Sequence, residues 1–507
     1  MPSSRDGDDP GSPNDDRVGH EGDDAVDDGP ATGPATAGPR RSARAPRRTR
    51  DGLGSRAQRG ADLARLSATT GAGYVSSRLR GLRDAEAEPE FHAETAERML
   101  EMLGSMKGAA MKIGQIASFV DLDLPPEIAG AYQQTLGQLT DHAPAADPES
   151  IAGVVRDEYG ARPEEVFADW EPEPLAAASI GQVHRAALPD GTQVVVKVQY
   201  PGVAEAIEAD LSNAEAFAPM ARVVSPNLEI RPLLEEMRER LIDELDYQRE
   251  AQYQHAFAVR YDGHPFIRVP HVFSDWCRPR VLVTEYLEGR DFDTMLATSD
   301  DEEQRRYGEI IFRFVYGSLH RFRLFNADPH PGNYLFPTSG PEAGSVVFLD
   351  FGSVKLFRSQ TRNTLTEALQ AVSNGDADRL VTVLEDAGFI PPRARIDPQR
   401  VFDWFAIINA PVLADRQWTY TPEFAREVIR TTTDPRLGHI DMLRRLNLPA
   451  DYLLLNRIQW GVNSILGRLR AHANWYRIMH EFWEGAPPET ELGRAERPFI
   501  DASPYLA

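Results

Sequence analysis

Asn326-Ala327-Asp328-Pro329-His330-Pro331-Gly332-Asn333, followed by Leu349-Asp350-Phe351-Gly352, is the stretch on which the fold turns. It sets an Asp and an Asn five residues apart, with a second Asp seventeen residues beyond the Asn. Two carboxylates and a side-chain amide are hard oxygen donors, the kind Mg2+ accepts in its tight octahedral shell. Asp-Phe-Gly alone is a weak signal, and a Pro-rich turn before a buried strand would give similar letters. The two segments together, in this order, are a strong one. They lay out a phosphate and magnesium site in which Asp328 meets the acceptor, while Asn333 and Asp350 hold metal that bridges nucleotide phosphates.

A kinase-like arrangement of this kind also needs a lysine on an early strand and a glutamate on the next long helix. Val194-Val195-Val196-Lys197-Val198 reads as a strand rich in β-branched residues, after a Pro189-Asp190-Gly191 turn signal. Lys197 interrupts that apolar run, where an unpaired ammonium is costly to bury. Its partner is either a nucleotide phosphate or a carboxylate, although a lysine on an edge strand also commonly reaches water. Leu234, Met237, Leu241 and Leu245 recur at helical spacing, so the sequence predicts one helix over about 232–259 with a buried stripe. Its other faces carry Glu244, Asp246 and Glu250. On such a helix Asp246 and Glu250 lie roughly 40° apart and Glu244 points well away from both. Glu250 is the candidate partner of Lys197, and Glu244 faces something else.

Four segments carry a family resemblance: Lys112-Ile113-Gly114-Gln115; Ala176-Ala177-Ala178-Ser179-Ile180-Gly181-Gln182-Val183-His184; Glu244-Leu245-Asp246-Tyr247 with Glu250-Ala251; and the Asp328 and Asp350 stretches. Over most of residues 90–360 the chain resembles the aarF/UbiB family of atypical, protein-kinase-like proteins. The first two motifs are specific to that family within the kinase-like superfamily. One position departs: the family usually has His where this chain has Asn326. An Asn can still hydrogen-bond the loop backbone, so the site is expected to persist with altered loop tuning.

The resemblance implies an α+β, two-lobed protein-kinase-like fold with a helical N-terminal extension over the active site and a helical C-terminal extension. The extension contains an apolar seam through Met99, Leu103, Met106, Ala110, Ile113, Ala117 and Val120, with Lys112 and Gln115 off the seam. Taken alone, that Lys and Gln read as solvated. The resemblance implies that they lie over the cleft with Glu244 or Asp246 nearby, a lid that obstructs a protein substrate and admits nucleotide.

Ordinary protein kinases place glycines where this chain has Ala176, Ala177 and Ala178, because backbone amides there approach phosphate. Three alanines make the loop stiffer and change its grip, and the Ser179 hydroxyl could reach a phosphate oxygen or a metal-bound water. A helical turn of small residues is the other reading. Residues 280–289 read as a strand running into a hinge, where the main chain around Glu285 and Leu287 would carry adenine. A helix is expected over about 302–325, and a short strand over 346–349 delivers Asp350. Beyond about 360 the chain reads as helical, with a break at Pro391-Pro392. The expected divisions are 1–60, a disordered tail; 61–165, the N-terminal extension; 166–288, the N-lobe; 289–390, the catalytic C-lobe; and 391–507, the C-terminal extension.

Composition fits this plan. A chain of 507 residues buries a large core, and a formal net charge of −23 opposes nucleic acid. The single cysteine, Cys277, forms no intramolecular disulfide and suits a reducing cytoplasm. No run of eighteen apolar residues marks a membrane span or secretory signal. Several members of the family end in such spans. Positions 1–28 hold ten acidic residues against two arginines, and six arginines cluster over 40–50. That tail cannot bury enough apolar surface to order itself. Its arginines offer peripheral contact with anionic lipid, but the adjoining acidic stretch weakens that attraction and favours a plainly solvated tail.

The expectation is therefore an atypical kinase or ATPase using ATP and Mg2+. The resemblance links it to isoprenoid-quinone or other prenyl-lipid metabolism, with quinone precursors and lipid-biosynthesis enzymes as partners. The alternative is a nucleotide-gated, non-catalytic scaffold for membrane-associated lipid enzymes.

Overall fold

The computed structural model describes residues 146–178, 180–209, 238, 242, 245–326, 328–391, 394–433, 439–443, 445–447 and 450–506. Lys112, Gln115, Ser179 and Glu244 lie outside these residues, as does the 1–60 tail.

The described chain opens with α1 (Pro148–Tyr159), whose first turn is capped by the Asp147 carboxylate, and the short α2 (Pro163–Val166). An antiparallel sheet follows, built from β1 (Asp169–Trp170), β2 (Ala176–Ala178), β3 (Gly181–Ala187) and β4 (Gln193–Gln199). Gly191, at φ +86°, closes the β3–β4 hairpin in a conformation that a side chain would oppose. In β4 the two-residue period does the sorting. Val194, Val196 and Val198 turn to one face and are fully buried with Ile151, Val154 and Val155 of α1, while Lys197 turns to the other. Helix α1 therefore shares the upper core, although its residues fall within the stretch expected to be the N-terminal extension.

Helix α3 spans Tyr247–Arg260. A single helix over 232–259 is not what forms. Asp246 sits at φ −103°, ψ 87°, and its carboxylate accepts from the backbone N–H groups of Gln248 and Arg249. A short carboxylate competes with the helical ladder for those donors, so it starts a helix rather than continuing one. The 40° relation between Asp246 and Glu250 accordingly does not apply.

Strand β5 (Ile267–Arg268) opens the lower half, and β6 (Val281–Glu285) returns to pair with β4 and complete the upper sheet. Helices α4 (Phe292–Thr298) and α5 (Asp301–Gly317) come next. The helix expected to run to 325 ends sooner. A π-turn over Ser318–Phe322 and Arg323, left-handed at φ +57°, swing the chain into β7 (Leu324–Asn326). Strand β7 pairs with β10 (Val354–Leu356), and β9 (Val346–Phe348) lies between β5 and β8 (Tyr334–Leu335). Asp328 thus follows β7, Asn333 precedes β8 and Asp350 follows β9.

The remainder is helical apart from one two-stranded ribbon: α6 (Ser359–Ser373), α7 (Ala377–Asp386), α8 (Pro398–Ile408), α9 (Ala410–Leu413), β11 (Trp418–Thr419), α10 (Pro422–Thr433), α11 (Ile440–Leu443), α12 (Ala450–Arg468), β12 (His472–Ala473), α13 (Trp475–Glu484) and α14 (Glu491–Ala502). Ile458, Val462, Leu466 and Trp475 from this region share one continuous core with Ile310, Phe314 and Phe348. Among the described residues, no helix is long and apolar enough to cross a membrane.

Candidate functional site

The cleft face of β4 presents Lys197, and the first turn of α3 presents Glu250, fixed in place by the Asp246 cap four residues earlier. The Lys197 ammonium donates to both Glu250 carboxylate oxygens, at 2.8 and 3.0 Å. Asp350 Oδ2 stands 3.7 Å from the same nitrogen, near enough to attract it but beyond a hydrogen bond. The Tyr247 ring lies beneath, its centroid 5.0 Å from the ammonium. Burial works against the charge on Lys197, but Asp350 and Glu250 outweigh it and hold the ammonium well above lysine's ordinary pKa. The carboxylate of Glu250 is almost fully buried, so it must remain paired.

Asp350 is held by its own turn: Gly352 N–H donates to Oδ1 at 2.9 Å, which leaves Oδ2 directed toward Lys197. Asn326 fastens the two acidic segments together. Its amide nitrogen donates to the Asp350 carbonyl at 2.6 Å, and its amide oxygen accepts from Asp328 N–H at 3.2 Å. The departure from the family's His therefore retains a bond to each segment. Asn333 donates from Nδ2 to the Asp328 carbonyl at 3.0 Å, and its own carbonyl accepts from Leu349 N–H. That orientation makes the Asn333 amide oxygen its donor to any cation.

The donor set suits Mg2+. One partly exposed carboxylate, Asp350, and one amide oxygen, Asn333, are hard ligands for a cation that keeps waters and takes the rest of its shell from phosphate oxygens. Among the described residues no three His, Cys, Asp or Glu side chains gather into an all-protein cage.

The alanine run is not a loop. Ala176, Ala177 and Ala178 form edge strand β2, opposite Val183, Gln182 and Gly181 of β3. Its tight end depends on Gly181: a Cβ there would stand 2.3 Å from the Val198 carbonyl and 2.8 Å from the Tyr247 hydroxyl. Gln182, opposite Ala177, accepts from Ala146 N–H at 2.9 Å and contacts His184 at 2.9 Å, a buried tie beneath the strand.

At the hinge, the Glu285 carboxylate accepts twice from Arg268, at 2.8 Å each, and once from His271 N–H at 3.0 Å. Its side chain is structural, so any nucleotide contact at 285 falls to the main chain. Leu287, partly buried, follows Tyr286, whose ring lies under the Arg185 guanidinium at 4.4 Å. The structure thus brings Lys197, Glu250 and Asp350 into one cluster, with the Asp328–Asn333 loop tied to Asp350 through Asn326. Asp246 caps the helix through Oδ1, and the lid residues Lys112 and Gln115 expected beside it lie outside the described residues. Tyr247 was not singled out from the sequence, although its place beside the helix acids, one turn before Glu250, was the available signal.

Residues 138–384 match the family described as the ABC1 atypical kinase-like domain. The protein named atypical kinase COQ8B, mitochondrial, from Rattus norvegicus is 31% identical over 411 residues, covering 79% of this chain and 75% of the relative. AarF domain-containing protein kinase 1 from Xenopus laevis is 32% identical, and the chain spans 56% of its length. Probable protein kinase UbiB from Azotobacter vinelandii is likewise 32% identical, with 53% of its length spanned. Among solved structures, Rv3197 from Mycobacterium tuberculosis, in complex with erythromycin, superposes with a TM-score of 0.57 at 29% identity, covering 79% of this chain and 99% of that one. With the motifs, the mixed α+β architecture and these matches in agreement, the chain belongs to the aarF/UbiB family of atypical kinase-like proteins.

Proposed function

We propose that the chain binds Mg-ATP between Lys197 and Asp350 and transfers its terminal phosphoryl group to water, a lipid-related small molecule or a protein, in support of isoprenoid-quinone or other prenyl-lipid metabolism. The observation that carries this reading is the meeting of Lys197, Glu250 and Asp350 within 3.7 Å of one nitrogen, from three elements distant in sequence. Glu250 fixes the ammonium so that it presents a positive charge to the α- and β-phosphates. Asn333 and Asp350 would hold Mg2+, which neutralises phosphate charge when bound. Asp328 orients the acceptor and takes its proton, its backbone held on both sides by Asn326 and Asn333. The main chain at Glu285 and Leu287 receives adenine, and the stiff β2 edge covers the phosphates.

The pathway assignment draws on the kinship with UbiB and COQ8 proteins. Purified protein with Mg-ATP, compared with Asp350→Asn, tests the chemistry: phosphate release or transfer should be lost in the variant. Nucleotide binding without turnover in the wild type, even with lipid present, would sink the enzymatic reading and leave the scaffold. Lipid profiling of a deletion strain tests the pathway, with an accumulating prenyl-lipid intermediate expected and an unchanged pool counting against it.

A further inference from the structure

We infer that helix α12 holds the Asp328 loop in its working position through one close contact, Gly461 against Pro329. The kinetic consequence rests on the phosphoryl-transfer reading above; the packing does not. A Cβ at position 461 would stand 2.7 Å from Pro329 Cγ and 3.2 Å from the Pro329 carbonyl oxygen. Neither atom belongs to a side chain that can swing aside. The proline ring fixes its own backbone, and Asp328, the residue before it, is bonded through its N–H to Asn326 and through its carbonyl to Asn333.

The helix is equally unable to retreat. Two residues before the glycine, Gln459 donates to the Ile408 carbonyl at 2.9 Å and to the Asn409 amide oxygen at 3.1 Å. Val462, Ile465 and Leu466 are buried in the lower core, and Gly467 approaches Thr421 so closely that a Cβ would meet its carbonyl carbon at 2.9 Å. Glycine inside a helix is less favourable than alanine. Here it allows the helix backbone to come against the loop. A methyl group at 461 must therefore move Pro329, and with it Asp328 and the Asn333 bond. The C-terminal region thereby acts on the reaction through Gly461, a positioning residue.

Gly461→Ala and Gly467→Ala test this as a pair, since both add the same methyl to the same helix but only the first faces the loop. Gly461→Ala should lower kcat about 10- to 100-fold, with affinity for ATP in the absence of Mg2+ held within about twofold. Gly467→Ala should lose stability and keep kcat per folded molecule within about twofold. Removing the ring in Gly461→Ala/Pro329→Ala should give a loss no larger than Pro329→Ala alone, a non-additive cycle. Equal kcat losses in the two glycine variants, or additive losses in the cycle, would overturn the inference. So would a failure of Gly461→Ala to fold that Pro329→Ala does not relieve. If the wild type turns over no ATP, the phosphoryl-transfer reading falls by itself. Hydrogen exchange then decides the contact: faster exchange of the amides at 328, 332 and 333 in Gly461→Ala than in Gly467→Ala supports it, and equal rates overturn it.

Discussion

Two charge clusters in this molecule each hold one more carboxylate than cation, yet they are built for opposite ends. The first joins Lys197 to Glu250 and Asp350. The second surrounds Arg313, whose side chain is 0% exposed, with Glu309, Glu481 and Glu496, and adds Arg321 on Glu496. In the second, bonding is saturated. Arg313 donates from all three nitrogens, to the three glutamates at 2.7–3.1 Å and to Thr490 at 2.9 Å. His264 completes it: its Nδ1 accepts from Phe266 and Ile267 N–H, so its Nε2 carries the proton and faces Glu496 at 3.3 Å. Burial would raise the Glu496 carboxyl, but the His264 bond and the two arginines overcome it and hold the group far below the usual range. In the first cluster Asp350 keeps an oxygen at 3.7 Å from its cation and a third of its side chain in solvent. Burial and perturbed ionisation therefore do not separate a sealed cluster from an open one. Unspent bonding capacity that faces a cleft does.

The sharpest way to break this comparison is Arg313→Met. It strands Glu309 and Glu481 in the interior, leaves Glu496 to Arg321 alone among cations, and should cost about 3–5 kcal/mol in a denaturant titration. A loss below about 1 kcal/mol, the range of an exposed pair, would show that the cluster is not sealed. Asp350→Asn should behave in the reverse sense: turnover falls about 10²- to 10³-fold while stability stays within about 1 kcal/mol, because the Lys197–Glu250 pair is untouched. A large stability loss there would make the cleft cluster structural.

The smallest effect is on pH. Burial lowers the pKa of His264 from its ordinary 6.5, so the unfolded chain takes up the proton first as pH falls. The stability contributed by neutral His264 is present above about 6.5 and is lost as pH drops toward the folded value. Buried His184 and His320 shift in the same direction. His264→Gln, neutral at every pH, should therefore flatten the decline below 6.5 without abolishing it. An unchanged slope would assign that limb to the other histidines.

The cleft cluster was legible because its members sit in short motifs whose spacing reports chemistry: Lys197 inside a valine run, Asp328 with Asn333, and Asp350 on Asp-Phe-Gly. The Arg313 cluster was not. Its partners lie 168 and 183 residues away, and each residue alone resembles an ordinary charge on an amphipathic helix. Asp246 was read as mid-helix because the leucine period carries on to Leu245; the carboxylate's competition for backbone donors has no periodicity. The alanine run was read as a loop, since its pairing with Val183 and Gln182 is a tertiary choice at a sheet edge. Arg323 at positive φ, which ends the helix before β7, leaves no mark in residue type. Gly461 did leave one: a glycine between Trp460 and Val462, inside a long helical run.

The Arg313 cluster also constrains how this polypeptide is made. Domains usually assemble from the amino end during synthesis, and the upper sheet can close early, since its last strand ends at Glu285. The lower lobe has no such freedom, because Arg313 cannot be desolvated until Glu496, 183 residues later, has left the ribosome. Until then a guanidinium must stay wet in the middle of what becomes the interior. The newborn chain can therefore hold a closed upper sheet while the interior around Arg313 stays open to water.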